Sequence, residues 1–166
     1  TCPPLDILVM PGGGDILPQM QDHALQTWLR ERGPKTQYIT SVCTGALILA
    51  EAGLLDGYKS TIHWGWLDQL RDFPNVEVVD ERVVIDRNRI SGGGVTAGID
   101  FALTLIAEVV GQAQAEALQL VFAYQPKPPF NSGAPEQANP EVLAQINGML
   151  VAQKGGLVDY TAQKRV

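Results

Sequence analysis

The part of the sequence that most constrains the fold is residues 38–46, where an apolar stretch leads directly to a cysteine, Cys43. Small residues occupy positions 44–46, and residues 47–52 have the composition of a helix that Gly53 ends. A strand, a tight turn and a helix in this order are typical of a nucleophile elbow, which holds a reactive side chain at the bend. Small residues suit such a bend because the strand and helix backbones pass close to each other there.

Cys43 is the candidate nucleophile of this bend. Free backbone N–H groups and the positive end of the helix dipole lie beside a side chain in such a position, and both favour a thiolate over a thiol. The N–H group of Thr44 is a natural donor to an oxyanion, and its hydroxyl group is suited to orienting a substrate or a water molecule. Two simpler interpretations stay open: Cys43 as an inert buried residue, and Thr44 as a small residue at a helix start.

A second glycine-rich turn lies upstream of the cysteine. The apolar run at residues 5–10 breaks at Pro11 and three glycines, of which Gly13 is the central one. Ligands bind outside the carboxyl ends of the strands in an open α/β sheet, so Gly13 is expected to bring a backbone N–H group to the pocket of Cys43. The alternative is a flexible turn without a role in binding, because glycines serve that purpose widely.

His63 is the third candidate, because it ends a short predicted strand at residues 60–64 that follows the elbow helix. At the carboxyl edge of a parallel sheet it would lie near Cys43, and imidazole is the usual base or orienting group for a thiol. The competing interpretation is a histidine that packs beside Trp64 and bonds to the backbone. We expect His63 near the pocket and leave open whether it forms a Cys–His dyad.

The composition limits the class of protein. The 166 residues suffice for one domain with its own core, and the net charge of −6 argues against general nucleic-acid binding. Two cysteines, Cys2 and Cys43, do not make a disulfide framework, and they fit a reducing compartment such as the cytoplasm. We recognise no cluster of metal ligands, no apolar run of about 18 residues and no signal peptide. The expectation is therefore a cytoplasmic protein with a small-molecule substrate and with no metal, cofactor, nucleic-acid or membrane partner.

Strand and helix patterns alternate along the chain. Besides the elbow, strands are expected at 5–10, 60–64, 76–79 and 82–85, and helices at about 18–32, 67–71, 97–110, 113–123 and 139–153. Thr96 and Asn139 stand where helix N-caps belong, and residues 154–166 have no clear pattern. Alternation of this kind predicts a single α/β domain over residues 1–166 with a mainly parallel sheet.

Taken together, the motifs resemble the DJ-1/PfpI (ThiJ) superfamily. The match comprises Pro-Gly-Gly at 11–13, Ser-Val-Cys-Thr-Gly at 41–45, Gly-Leu-Leu-Asp-Gly at 53–57, Thr-Ile-His-Trp at 61–64 and the run at 93–103. The proline-rich segment at 124–133 is similar to the isocyanide hydratase branch. The resemblance implies a flavodoxin-like three-layer sandwich, as in class I glutamine amidotransferases, and commonly a homodimer.

The resemblance also implies a reaction. Cys43 would attack the terminal carbon of an isocyanide, backbone donors near Gly13 and Thr44 would assist, and water would release an N-formamide from a thioimidate. A carboxylate on the first strand of the family normally assists the cysteine. This chain begins where the third strand of the family would, so we expect the upstream strand–helix–strand segment to be missing and the 166 residues alone to be poorly active. Thr44 replaces the histidine of the protease-like members, which weakens a peptidase interpretation.

Two other functions stay open. Related domains form the ligand-sensing part of AraC-type regulators, but such a regulator needs a helix-turn-helix module of roughly a hundred residues, and only thirteen follow Gln153. A reactive thiol is equally compatible with a glyoxalase- or deglycase-like protein or a redox-sensing stress protein.

Overall fold

The computed structural model of the protein describes residues 2–165, and strands and helices alternate along them. The strands are β1 (Ile7–Met10), β2 (Tyr38–Val42), β3 (Lys59–Ser60), β4 (Glu77–Val78), β5 (Val83–Asp86) and β6 (Arg89–Gly92). The helices are α1 (Leu17–Gln21), α2 (His23–Arg32), α3 (Gly45–Glu51), α4 (Leu67–Arg71), α5 (Ala97–Val110), α6 (Gln112–Val121), α7 (Pro140–Lys154) and α8 (Leu157–Ala162). This order confirms the α/β class.

The main sheet has four strands in the order β1-β2-β6-β5. β2 pairs in parallel with β1 on one side and with β6 on the other, and β5 returns antiparallel to β6 through a hairpin. β3 and β4 form a separate parallel pair. The prediction of a mainly parallel sheet is therefore confirmed, and the glycine-rich ends of β1, β2 and β6 meet at one edge.

Helices cover both faces of the sheet, as in the predicted sandwich. α3 packs against β1 and β2, and its apolar side chains join the largest buried cluster, together with Leu8 and Ile39 of the sheet. α5 contacts β2, β5 and β6, and Ile90 and Phe101 are buried outside that cluster. Among residues 2–165, every helix falls short of the length or the apolarity that crossing a bilayer requires.

The helix expected at residues 18–32 is divided in two at Asp22. The Asp22 side chain accepts hydrogen bonds from the N–H groups of Ala24 and Leu25, at 2.9 and 3.1 Å, and so acts as the N-cap of α2. The backbone of Asp22 is extended, with ψ of 101°. A continuous helix was wrong because a capping aspartate competes with the helical hydrogen bonds of its own backbone.

The strand expected at residues 60–64 was also wrong. β3 ends at Ser60, and the N–H group of Thr61 donates to the side-chain hydroxyl of Ser91 instead of to a neighbouring strand. His63 then caps a short 3₁₀ turn, Trp64–Trp66. His63 therefore does not end a strand of the main sheet, although it reaches the same region of the molecule.

The C-terminal residues form structure that the sequence pattern did not indicate. Leu157 of α8 is buried, and the hydroxyl of Thr161 donates to the buried carboxylate of Asp72 at 2.6 Å. Lys164 pairs with Glu51 at 2.9 Å. These contacts fasten α8 and the residues after it to the ends of α4 and α3.

Candidate active site

Cys43 stands at a sharp bend between β2 and α3. Its φ is +57°, in the left-handed region that a residue with a side chain adopts at a cost of roughly 1–2 kcal/mol. The Cys43 N–H group donates to the carbonyl of Gly92 at 2.9 Å, which ties the bend to the end of β6. The sharp bend expected at Cys43 is therefore present, and the residue is half-buried.

Two glycines let the backbones meet at this bend. A Cβ atom on Gly45 would lie 2.2 Å from the carbonyl oxygen of Met10 at the end of β1. A Cβ atom on Gly12 would lie 2.7 Å from the backbone nitrogen of Thr44 and 2.9 Å from the Cβ of Cys43. Real Cβ atoms essentially never come within 3.0 Å of another residue's heavy atoms, so both positions require glycine for the loop after β1 to touch the bend.

Thr44 and Gly13 bind each other directly. The Thr44 hydroxyl donates to the Gly13 carbonyl at 2.8 Å, and the Gly13 N–H group donates to the same hydroxyl at 2.9 Å. The Thr44 side chain is fully buried, so its hydroxyl holds the glycine loop rather than facing a ligand. In the described part of the chain, the Thr44 N–H group has no protein acceptor and remains a candidate oxyanion donor beside Cys43.

His63 lines the same cavity as Cys43, but the hydrogen bond of its ring suits a hydrogen-bond donor better than a general base. Its Nδ1 atom accepts a hydrogen bond from the Gly65 N–H group at 3.1 Å, so the proton of the neutral ring belongs on Nε2. Burial lowers the pKa of His63, which favours the neutral ring near pH 7. Between residues 2 and 165, no hydrogen bond links the imidazole to Cys43.

The cavity in front of Cys43 has a volume of about 450 Å³, within the range of small-molecule sites. Its wall consists of the loop after β1, the bend, the 3₁₀ turn after β3, the loop before α5 and part of α7. The lining residues are Pro11, Gly12, Gly13, Gly14, Val42, Cys43, His63, Trp66, Val95, Leu150 and Gln153. Among these lining residues, none carries a charged side chain.

Leu150 and Gln153 are the site residues that sequence reasoning missed. A helix at 139–153 was expected, and the Asn139 side chain caps it by accepting from the Glu141 N–H group at 2.8 Å. Nothing in the local pattern indicated that the last turns of this helix reach a cavity more than a hundred residues away along the chain.

The fold and the site define a class: an α/β domain in which a cysteine at a strand-to-helix bend faces a small, uncharged cavity. Residues 1–108 match the model of the DJ-1/PfpI family. The chain therefore belongs to the DJ-1/PfpI family, and the predicted family is confirmed.

The chain is similar in sequence or structure to several known proteins. The chain is 46% identical over 142 residues to the isonitrile hydratase of Pseudomonas putida, covering 86% of this chain and 62% of that protein. It is 34% identical over 127 residues to the helix-turn-helix transcriptional regulator GbdR of Pseudomonas aeruginosa, covering 75% of this chain and 34% of the regulator. A crystal structure of a ThiJ/PfpI family protein from Pseudomonas syringae superimposes with a TM-score of 0.91 at 43% identity, over 98% of this chain and 67% of that one. The chain thus spans less than two thirds of the length of either named relative.

Proposed function

We propose that the protein is a hydro-lyase that converts an isocyanide to its N-formamide with Cys43 as the nucleophile. The observation that carries the proposal is the position of Cys43, at a bend that faces an uncharged cavity of about 450 Å³. The similarity to the P. putida isonitrile hydratase supports the same reaction. Isonitrile and isocyanide are two names for the R–N≡C group, whose terminal carbon accepts a soft nucleophile such as sulfur.

The reaction is redox-neutral and adds one water molecule. The Cys43 sulfur forms a bond to the terminal carbon, and a proton is delivered to that carbon, which gives a thioimidate bound to the protein. Water then adds to the same carbon, and one of its protons moves to nitrogen. As the C–S bond breaks and the carbonyl forms, the other proton of the water moves to the sulfur. The products are R–NH–CHO and the free thiol.

The remaining site residues take supporting roles in this proposal. The Thr44 N–H group, which lies beside the bend, donates to negative charge that develops during the attack. The pair of hydrogen bonds between Thr44 and Gly13 keeps the glycine loop closed over the bend. The Nε2–H group of His63 donates to the substrate or to the attacking water, because its Nδ1 atom is already bonded to Gly65.

The decisive experiment uses the full-length natural protein and follows formamide formation from 4-nitrophenyl isocyanide and from cyclohexyl isocyanide. We expect turnover by the wild type and by Cys2→Ala, and none by Cys43→Ala. Absence of a Cys43-dependent formamide would refute the hydratase. Activity on methylglyoxal instead would favour the glyoxalase- or deglycase-like alternative, and oxidation of Cys43 by peroxide without either activity would favour a redox sensor.

A ligand-sensing domain is the second candidate, and the 34% identity to the regulator GbdR is the observation that favours it. A sensing domain would bind its ligand in the same cavity without converting it. Two measurements separate the two functions: isocyanide binding to the wild type and to Cys43→Ala by calorimetric titration, and formamide formation by the wild type. Binding by both proteins without any product would favour the sensor.

We also propose a homodimer, as the family resemblance implies. Its support in this chain is a run of exposed apolar side chains at the end of α6, where Leu120, Val121 and Phe122 are each more than 70% exposed. Light scattering at micromolar concentration tests the proposal, and a mass equal to one chain would refute it.

A further inference from the structure

We propose that helix α7 selects the substrate. Leu150 limits the size of the substrate, and the uncharged side chain of Gln153 restricts binding to uncharged molecules with an apolar body. This inference rests on the proposed function, because it names the class of isocyanide that the cavity admits. It assigns a specificity role to two residues that lie far from Cys43 in the sequence.

The first observation is that Leu150 is held in a fixed place. It is 9% exposed and belongs to the main buried cluster, whereas its neighbours Met149 and Val151 are exposed. A Cβ atom on Gly65 would lie 2.6 Å from a terminal carbon of Leu150, so the Leu150 side chain packs directly against the backbone of the 3₁₀ turn at Gly65. The Leu150 side chain therefore forms a rigid part of the cavity wall.

A second contact fixes the same end of α7. The ammonium group of Lys154 lies 5.9 Å from the centre of the Trp66 ring, within the range of a cation–π contact. Trp66 also lines the cavity, and its ring packs edge-on against His63 at 5.2 Å between ring centres. Leu150 and Lys154 thus fasten the last turns of α7 to the part of the cavity that holds His63.

The third observation is the chemistry of the wall. Besides the bend and His63, the described lining side chains are apolar except for the Gln153 amide and the buried indole N–H group of Trp66. Among the described residues no lysine or arginine lines the cavity, so these lining residues offer no direct ion-pair partner to a carboxylate or a phosphate, and transfer of such a charge out of water is costly. An uncharged isocyanide with an alkyl or aryl body is complementary to these lining residues.

The position of these residues in the sequence separates chemistry from selection. The bend, the glycine loop and His63 lie within residues 1–108, which match the family model, whereas α7 lies beyond that range. Changes in α7 can therefore alter the substrate range without touching the reactive cysteine.

The size limit is tested with Leu150→Ala and Leu150→Phe in the full-length natural protein, on methyl, n-butyl and cyclohexyl isocyanide. We expect Leu150→Ala to raise kcat/KM for the cyclohexyl compound relative to the methyl compound by about tenfold, since a few carbon atoms in an apolar pocket discriminate at that level. Leu150→Phe shifts the ratio the opposite way. Val151→Ala, on the exposed face of the same helix, leaves it unchanged. If the ratio of kcat/KM for the cyclohexyl and methyl compounds were the same in the Leu150 variants as in the wild type, the size limit would be overturned.

The charge selection is tested with Gln153→Lys. We expect it to raise kcat/KM for isocyanoacetate, relative to its uncharged ethyl ester, by about tenfold. Gln145→Lys is the matched control, because Gln145 is an exposed glutamine of the same helix that does not line the cavity. Equal ratios in Gln153→Lys, Gln145→Lys and the wild type would overturn the role of Gln153.

A readout without isocyanides distinguishes failure of this inference from failure of the proposed function. In a Cys2→Ser background, the rate at which Cys43 is alkylated is compared for iodoacetamide and the bulkier N-cyclohexylmaleimide. We expect Leu150→Ala to accelerate the maleimide selectively, after circular dichroism has shown that the variant is folded. Selective acceleration without isocyanide turnover would retain the size limit and refute only the hydratase. Unchanged rates in a folded variant would refute the size limit itself.

Discussion

Replacing Gly45 with alanine tests whether the bend depends on contact between two backbones. The new methyl carbon would lie 2.2 Å from the Met10 carbonyl oxygen and 2.8 Å from that of Pro11. To reach an ordinary carbon–oxygen separation of about 3.3 Å, β1 and α3 must move apart by about 1 Å. Overpacking against the backbone lowers the free energy of unfolding by about 3 kcal/mol, and the better helix propensity of alanine raises it by about 1 kcal/mol. We expect the free energy of unfolding to fall by about 2 kcal/mol.

Gly148→Ala is the matched control, because Gly148 lies inside α7 and a Cβ atom there would have nothing within 4 Å. The same substitution should therefore raise the free energy of unfolding by about 0.5–1 kcal/mol. Urea unfolding followed by tryptophan fluorescence measures both changes, with the slope compared to verify that both variants unfold as the wild type does. If Gly45→Ala proved as stable as the wild type, the close contact between β1 and α3 would be refuted.

Three further predictions concern the side chains of the site. Thr44→Val removes both hydrogen bonds to Gly13 and should lower the free energy of unfolding by about 1–3 kcal/mol in the same urea assay; an unchanged midpoint would contradict their importance. Iodoacetamide should modify Cys43 faster than Cys2, because the start of α3 stabilises negative charge at the bend, and peptide mass spectrometry at neutral pH would disprove this by finding equal rates. Because burial lowers the pKa of His63, the unfolded chain takes up a proton at higher pH than the folded protein, so stability falls as pH drops through about 6.5. His63→Asn, which keeps a hydrogen-bond acceptor for Gly65, should reduce the loss of stability between pH 7.5 and 5.5; an unaltered loss would argue against a buried neutral imidazole.

The sequence by itself determined the features that depend on neighbouring residues. An apolar strand followed by Cys43 and small residues predicts a sharp turn into a helix, and the structure has that bend with Cys43 at a positive φ. The helix at 97–110, which ends at Gly111, and the Asn139 cap were predicted to the residue, because caps and glycine stops act within a few positions. Thr96 stands at the N-cap position of that helix, but its side chain makes no capping hydrogen bond. Asp22 carried the same kind of local signal, yet the continuous apolar stripe around it hid the break.

Only the tertiary structure decided what surrounds the cysteine. The Thr44 hydroxyl was available to a substrate as far as the sequence indicated, and its use by Gly13 follows from the approach of two loops 31 residues apart. His63 reaches the cavity from a 3₁₀ turn rather than from a strand of the main sheet. Leu150 reaches it from α7 by packing its side chain against Gly65, 85 positions earlier. Such contacts depend on how all layers of the fold pack together. An apolar residue or a glycine permits a close contact, but the residue type does not specify which part of the chain makes that contact.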